Sequence, residues 1–184
     1  MLHGRGSDEH DLFGLKEYLD PRLDIYSLRA PNEFEWGGYS WFDLFDDGSV
    51  DIQSFDRSKT EILSFFNSFT TEKLFLFGFS MGAIISYAIA LTQPKLCNGI
   101  LALSGFAPKQ LEKEYKLNEL QHLNIFVSHG IDDRVIPVSA ARKTKELLSR
   151  SNAVVTYKEY QMAHQINEEC LRDIRTWLDN EVGL

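Results

Sequence analysis

The chain has 184 residues, 43% hydrophobic and 25% charged, the make-up of a folded globule and not of a disordered or low-complexity protein. Acidic side chains outnumber basic ones by 27 to 19, and a formal charge of −8 gives no general electrostatic hold on nucleic acid or an anionic membrane. A chain this long buries one core well but not two, so a single domain over residues 1–184 is expected.

The amino end, Met1-Leu2-His3-Gly4-Arg5-Gly6-Ser7-Asp8-Glu9, is polar where a secretory leader needs an apolar run. Ser7 is placed as an N-cap, with Asp8 and Glu9 in the first turn of a helix over Glu9–Leu19. A strand follows at Leu23–Leu28, then a helix at Ile52–Phe69. After these, strands at Leu74–Phe79, Gly99–Leu103, Ile125–His129 and Val154–Tyr160 alternate with helices at Ser80–Gln93, Pro137–Arg150 and His164–Asn180. Pro137 suits a first helical position, where its missing N–H has no partner to lose. Most of the strands are continuous apolar runs, as in a parallel sheet covered by helices on both faces, so the fold class is α/β. The longest apolar stretch, Met81–Leu91, is broken by Gly82, Ser86 and Tyr87 and falls short of the roughly 20 residues of a membrane helix. Cys97 and Cys170 have no CxxC spacing, so neither a disulfide framework nor a cysteine zinc site is expected, and a cytoplasmic setting suits them.

The sharpest signal is Gly78-Phe79-Ser80-Met81-Gly82, where an apolar strand gives way to an apolar helix. A bare G-x-S-x-G arises by composition in about one chain in twenty, so its position at a strand-to-helix junction carries the weight. A nucleophilic serine must stand on a turn so tight that flanking Cβ atoms would clash, and glycines two before and two after meet that need. Such a serine needs a base, and the base an acid to orient it, each at the carboxyl end of a later strand. The loop His129-Gly130-Ile131-Asp132-Asp133-Arg134 supplies acids, and Gln161-Met162-Ala163-His164 supplies a histidine. Ser80, Asp133 and His164 fit that order, although spacing alone leaves Asp132 and Asp133 both open. His129 precedes the acidic loop and is read as its brace. For the oxyanion, the backbone N–H of Met81 is one donor and that of Arg5, in the glycine-rich turn His3-Gly4-Arg5-Gly6, is the other.

Together LHGRGSDEHDLF, GFSMGA, HGIDDRVIP and the MAH before the last helix resemble the phospholipase/carboxylesterase branch of the α/β-hydrolases, which includes the acyl-protein thioesterases. Trp41-Phe42-Asp43 is similar to a WFD segment of that family, and the likeness runs from Leu2 to about Leu178. The resemblance implies a Ser80–Asp133–His164 triad with oxyanion donors at Arg5 and Met81. It selects Asp133, because the family's acid stands four residues before the proline of this loop, here Pro137.

One departure is plain. Family members carry strands before the HGxG turn, whereas here only Met1-Leu2 precede it. In the resembled fold the missing strand lies between those mapped to Leu23–Leu28 and Leu74–Phe79. An unpaired buried backbone group costs about 1–3 kcal/mol, so several would exceed a stability margin of about 5–15 kcal/mol. The expectation is that the native chain begins upstream; closure by a neighbouring segment or subunit, or direct pairing of the flanking strands, are the other routes.

Residues 104–124 leave room for one helix (Lys109–Leu120) and no lid domain, which points to an open site for soluble or modestly apolar esters. Trp36, Tyr39, Trp41 and Phe42 follow the first strand and are placed either as the wall of an acyl pocket, with Trp41 and Phe42 binding substrate, or as core. Asp43, Asp46, Asp47 and Asp51 lack the spacing of a calcium loop and read as a turn. The cluster His3, Asp8, Glu9, His10 and Asp11 is explained by helix capping without metal, and no metal or cofactor is expected. The expected reaction is ester hydrolysis through an acyl-enzyme, on a small-molecule ester or thioester. A homodimer is allowed, and stable membrane insertion and nucleic-acid binding are not expected. The competing reading is a catalytically silent α/β-hydrolase-like binding protein, motivated by the short amino end. A dienelactone-hydrolase-like enzyme is disfavoured, because it calls for cysteine where Ser80 stands.

Overall fold

The computed structural model describes residues 1–45 and 49–183. Its elements in chain order are α1 (Glu9–Phe13), β1 (Asn32–Glu33), β2 (Tyr39–Ser40), α2 (Ile52–Phe66), β3 (Phe75–Phe79) and α3 (Met81–Thr92). They continue with β4 (Gly99–Leu103), β5 (Asn124–Gly130), α4 (Val138–Leu148), β6 (Val154–Tyr160) and α5 (Glu168–Val182).

Strands β3, β4, β5 and β6 lie side by side in that order, all parallel, with Phe77 opposite Leu101, Leu101 opposite Phe126 and Phe126 opposite Thr156. Alternation along each strand divides the core in two. Leu76, Ile100, Ile125 and Val127 face α2, α3 and α4 through Phe55, Ile85, Ile89 and Leu148. Phe77, Leu101, Leu103 and Phe126 face α1 and α5 through Leu12, Ile174 and Trp177. Helix α3 is apolar all round because it is wrapped all round: every residue from Met81 to Leu91 is buried. Each such Leu or Ile contributes about 1.5–3 kcal/mol relative to exposure, which holds the helix that follows Ser80 rigidly against the sheet.

Several boundaries differ from the expectation, each for a local reason. The first helix is capped by Asp8, which accepts the N–H of His10, rather than by Ser7; α1 ends at Phe13 and continues as a 3-10 turn over Gly14–Tyr18. The Lys109–Leu120 helix is two 3-10 pieces, Lys109–Glu114 and Leu117–Glu119. Between them the Tyr115 hydroxyl donates to the Pro108 carbonyl (2.7 Å) and the Lys116 N–H donates to the Leu91 carbonyl (2.9 Å), pulling the backbone off a helical path. Pro137 sits one residue before α4, at its cap. The last helix starts at Glu168, capped by Asn167, so His164 stays in the loop ahead of it. Asp46 and Asp47 lie outside the described residues.

Leu23–Leu28 forms no strand. It runs beside the sheet and meets it through an isolated parallel bridge, Leu2 to Leu28, while Leu2 also bridges Gly78. The Leu2 N–H donates to the Phe77 carbonyl (2.8 Å), and the Leu2 carbonyl accepts from the Phe79 N–H (3.1 Å). On the other side the Leu28 N–H donates to the Met1 carbonyl (3.1 Å), and the Met1 amino group donates to the Tyr26 carbonyl (2.6 Å). Two residues thus occupy the place between the flanking segments. A cleft of about 350 Å³ lies beside Met1, walled by Leu23, Ile25, Phe66, Phe75 and Phe77. One bridge, Leu2 to Leu28, makes no ladder, and Leu23–Leu28 stays irregular.

Candidate active site

Ser80 is the hinge between β3 and α3. Its backbone, φ 52° and ψ −117°, lies where an L-residue is held only by its surroundings, at a cost of about 1–3 kcal/mol. The two flanking glycines make the turn possible. A Cβ on Gly78 would stand 2.4 Å from the Gly82 carbonyl oxygen, and one on Gly82 would stand 1.9 Å from that of Leu2. The Ser80 N–H donates back to the Leu103 carbonyl (2.8 Å), tying the hinge to the end of β4.

His164 reaches this hydroxyl from the far side of the sheet edge, 84 residues later in the chain. Its Nδ1 lies 2.7 Å from Asp133 Oδ2, and its Nε2 lies 2.9 Å from Ser80 Oγ. A carboxylate beside Nδ1 sets that nitrogen as the donor, which leaves Nε2 with a lone pair to accept the serine proton. Asp133 is itself held: Oδ1 accepts the N–H groups of Val135 and Ile136, both at 2.9 Å. His129, fully buried, donates from Nε2 to the Ile136 carbonyl (2.7 Å) and stands 3.4 Å from Asp133 Oδ2, where the sequence places it as a brace. Asp132, by contrast, is exposed and contributes its backbone N–H to the Met162 carbonyl (3.1 Å).

That last bond is one of two backbone bonds, among the described residues, stitching the acid loop to the end of β6 and the histidine loop; the other joins the Ile131 N–H to the Tyr160 carbonyl (2.9 Å). Gly130 lets the loops approach this closely, since a Cβ there would stand 2.2 Å from the Met162 oxygen.

The His3–Gly6 turn, where the sequence expects an oxyanion donor, lies across Ser80. Gly4 presses flat on it, with its Cβ direction 3.2 Å from the Phe79 ring and 3.4 Å from Ser80 Cβ. Among the described residues neither the Arg5 N–H nor the Met81 N–H is given to any protein acceptor; Met81 opens α3, where the first amides have no intrahelical partner. Beneath the turn, His3 is buried and donates from Nδ1 to the Gly4 carbonyl (2.7 Å) while its Nε2 accepts the Ala30 N–H (3.1 Å). Burial holds its pKa below the ordinary histidine value, keeping the neutral form that this pair of bonds requires.

Trp41 and Phe42 are 2% and 1% exposed, so they plug the core and do not wall an open pocket. Trp41 donates its indole N–H to the His3 carbonyl (2.9 Å), and its backbone N–H lies 3.3 Å from the Met81 sulfur, so it props both the His3–Gly6 turn and the start of α3. Phe42 packs on Phe55, ring centroids 5.1 Å apart.

The β1–β2 hairpin has no place in the expected elements, and it clamps the turn. The Gly6 N–H donates to the Tyr39 carbonyl (2.9 Å) and the Tyr39 N–H to the Ser7 carbonyl (2.8 Å). Its signal in the sequence was Gly37-Gly38, whose φ values of 101° and 72° make the hairpin bend. Phe34 of this hairpin carries the Arg5 guanidinium on its face, 4.4 Å from the ring centroid.

A model of the phospholipase/carboxylesterase family matches residues 1–182. The chain belongs to that family. Among curated proteins it is similar to the acyl-protein thioesterase 1 of Kluyveromyces lactis, 30% identical over 210 aligned positions spanning 100% of this chain and 91% of that one. The acyl-protein thioesterase 1 of Candida albicans is 34% identical over 160 positions, covering 78% of this chain and 69% of the other. A crystal structure of the Bacillus cereus carboxylesterase superposes with a TM-score of 0.86 at 24% identity, over 98% of this chain and 86% of that one, and shows the shared α/β-hydrolase fold. As a member of the phospholipase/carboxylesterase family the chain is a hydrolase of the carboxylesterase and acyl-protein thioesterase type, acting on ester bonds. No helix among the described residues is long and apolar enough to cross a membrane.

Proposed function

We propose that this enzyme is a serine hydrolase working through an acyl-enzyme, with Ser80 as nucleophile, His164 as base and then acid, and Asp133 as its orienting partner. The observation that carries the reading is the unbroken chain of bonds from Asp133 Oδ2 through both imidazole nitrogens to Ser80 Oγ, at 2.7 and 2.9 Å. As Ser80 Oγ bonds to the carbonyl carbon, its proton passes to His164 Nε2 and the carbonyl electron pair moves to oxygen. That oxygen rests on the N–H groups of Arg5 and Met81. Collapse expels the leaving alcohol or thiol, which takes the proton from Nε2. Water repeats the sequence, and the carboxylic acid departs. The segment over residues 104–124 holds only two short 3-10 turns and no lid domain, which supports a reading of small, modestly apolar acyl groups, including thioesters of the kind named for the thioesterase relatives. A reducing cytoplasm is the setting we assign.

Ser80→Ala is expected to keep the fold and lower p-nitrophenyl butyrate turnover on the order of 10⁴-fold or more, with loss of fluorophosphonate labelling. Near-normal turnover in that variant would overturn the reading.

A further inference from the structure

A cavity of about 290 Å³ opens beside the reacting groups, between α1 and the loop that carries the histidine; Asp11, Leu12, Leu15, Phe79, His164 and Ile166 line it. A larger one, about 510 Å³, lies between the Lys109–Glu114 turn and α4, and no member of the Ser80, His164 and Asp133 set lines it.

Its position decides which half of an ester it can hold. His164 Nε2 must reach Ser80 Oγ to take the proton and the departing atom to return it, so the departing atom lies against the imidazole and the acyl chain points elsewhere. The cavity is on the imidazole's own flank, where the Phe79 ring lies 4.9 Å from it, centroid to centroid. Its size is that of about ten water-sized groups, room for a branched alcohol or a side-chain thiol. The floor is apolar, from buried Leu12 and half-buried Leu15 and Ile166.

One uncompensated charge stands at the rim. Glu9 is taken up by Arg29 (2.6 Å), and Asp8 accepts the N–H of His10 at the cap of α1. The Asp11 carboxylate is exposed and makes no ion pair or side-chain hydrogen bond among the described residues, and no Lys or Arg lines the cavity. We propose that this cavity is the leaving-group site, and that it favours a branched, apolar alcohol or thiol bearing a positive charge near Asp11. This rests on the serine-hydrolase reading above.

The test compares three butyrates that share one acyl group: the choline ester, its uncharged isostere the 3,3-dimethylbutyl ester, and the methyl ester. At low ionic strength kcat/KM for the choline ester should exceed that of the isostere by about threefold to tenfold, and the margin should shrink in 1 M salt. Asp11→Asn, an exposed change, should bring that ratio close to one. Leu15→Trp, which fills the cavity, should lower the dimethylbutyl-to-methyl ratio by about tenfold. A ratio near one in the unaltered enzyme, or one that Asp11→Asn leaves as it was, overturns the assignment. Ser80→Ala separates the two failures. If it abolishes turnover while the ester ratios are flat, only the leaving-group site falls; if it retains turnover, the serine chemistry beneath it falls too.

Discussion

Gly130→Ala tests whether the alignment of acid and base is built into the main chain. A methyl there would meet the Met162 oxygen at 2.2 Å and the Ala163 oxygen at 2.3 Å, and neither is a flexible side-chain end. Relief requires the histidine loop to move off the acid loop by roughly 1 Å, since carbon–oxygen contacts settle a little above 3 Å. The β5–β6 ladder holds seven residue pairs and anchors both loops from below, so the fold should survive. The overpacking cost is about 1–3 kcal/mol, read as a fall of several degrees in thermal midpoint. Displacing a proton-transfer group by this distance costs about 100-fold, so kcat/KM for p-nitrophenyl butyrate should fall by that order with most of the loss in kcat. The measurement pairs steady-state kinetics with thermal unfolding on the same preparation. A variant with a lowered midpoint but kcat/KM within threefold of the parent would show that this contact does not align the two loops.

Trp41→Phe removes the indole bond to the His3 carbonyl (2.9 Å) and should lower kcat by about tenfold to 100-fold with little change in KM, as loosened oxyanion donors would; an equal rise in KM would point to substrate contact instead. Acid should weaken the fold through His3. Its folded pKa is depressed by burial, so the unfolded chain takes the proton first, and stability present above about pH 6.5 is lost below it at up to about 1.4 kcal/mol per pH unit. Urea titrations at pH 7.5 and 5.5 should show this slope reduced in His3→Gln, and an unchanged slope would refute it. Burial also pushes the Cys97 and Cys170 thiols up to about 12 and 11, so iodoacetamide at pH 8 should label both only after unfolding; rapid labelling of the native protein would contradict their placement.

What the sequence made legible was whatever lies in the covered sheet. β3, β4 and β5 read directly from apolar runs because both faces are packed, β6 at the sheet edge read from its β-branched and aromatic residues in spite of Lys158 and Glu159, and the hinge at Ser80 read from glycines that the contacts of Gly78 and Gly82 now explain. Leu23–Leu28 has the spaced apolar residues of a strand, Leu23, Ile25 and Leu28, without a ladder to join, and pattern alone does not report whether a partner is there. The Lys109–Leu120 helix failed because Tyr115 and Lys116 bond to groups distant in the chain or across a turn, and tertiary bonds override local preference. At α5 the better signal was available: Asn167 followed by Glu168 and Glu169 marks a cap and an acidic first turn, and leaves His164 outside. Between Asp132 and Asp133 the residues alone left both open, and the difference lies in burial: one carboxylate faces solvent while the other collects two amides and an imidazole.

Two of the tightest approaches around Ser80 and His164, Gly82 on Leu2 and Gly130 on Met162, are glycine against backbone oxygen. The reactive frame is therefore indifferent to most of the side chains that ring it. On the reading proposed above, residues such as Leu15 and Ile166 can drift among apolar types and retune which esters are preferred, while the bonds from Asp133 through His164 to Ser80 keep their distances. An engineer seeking a new substrate range has a free hand at those positions and almost none at the glycines.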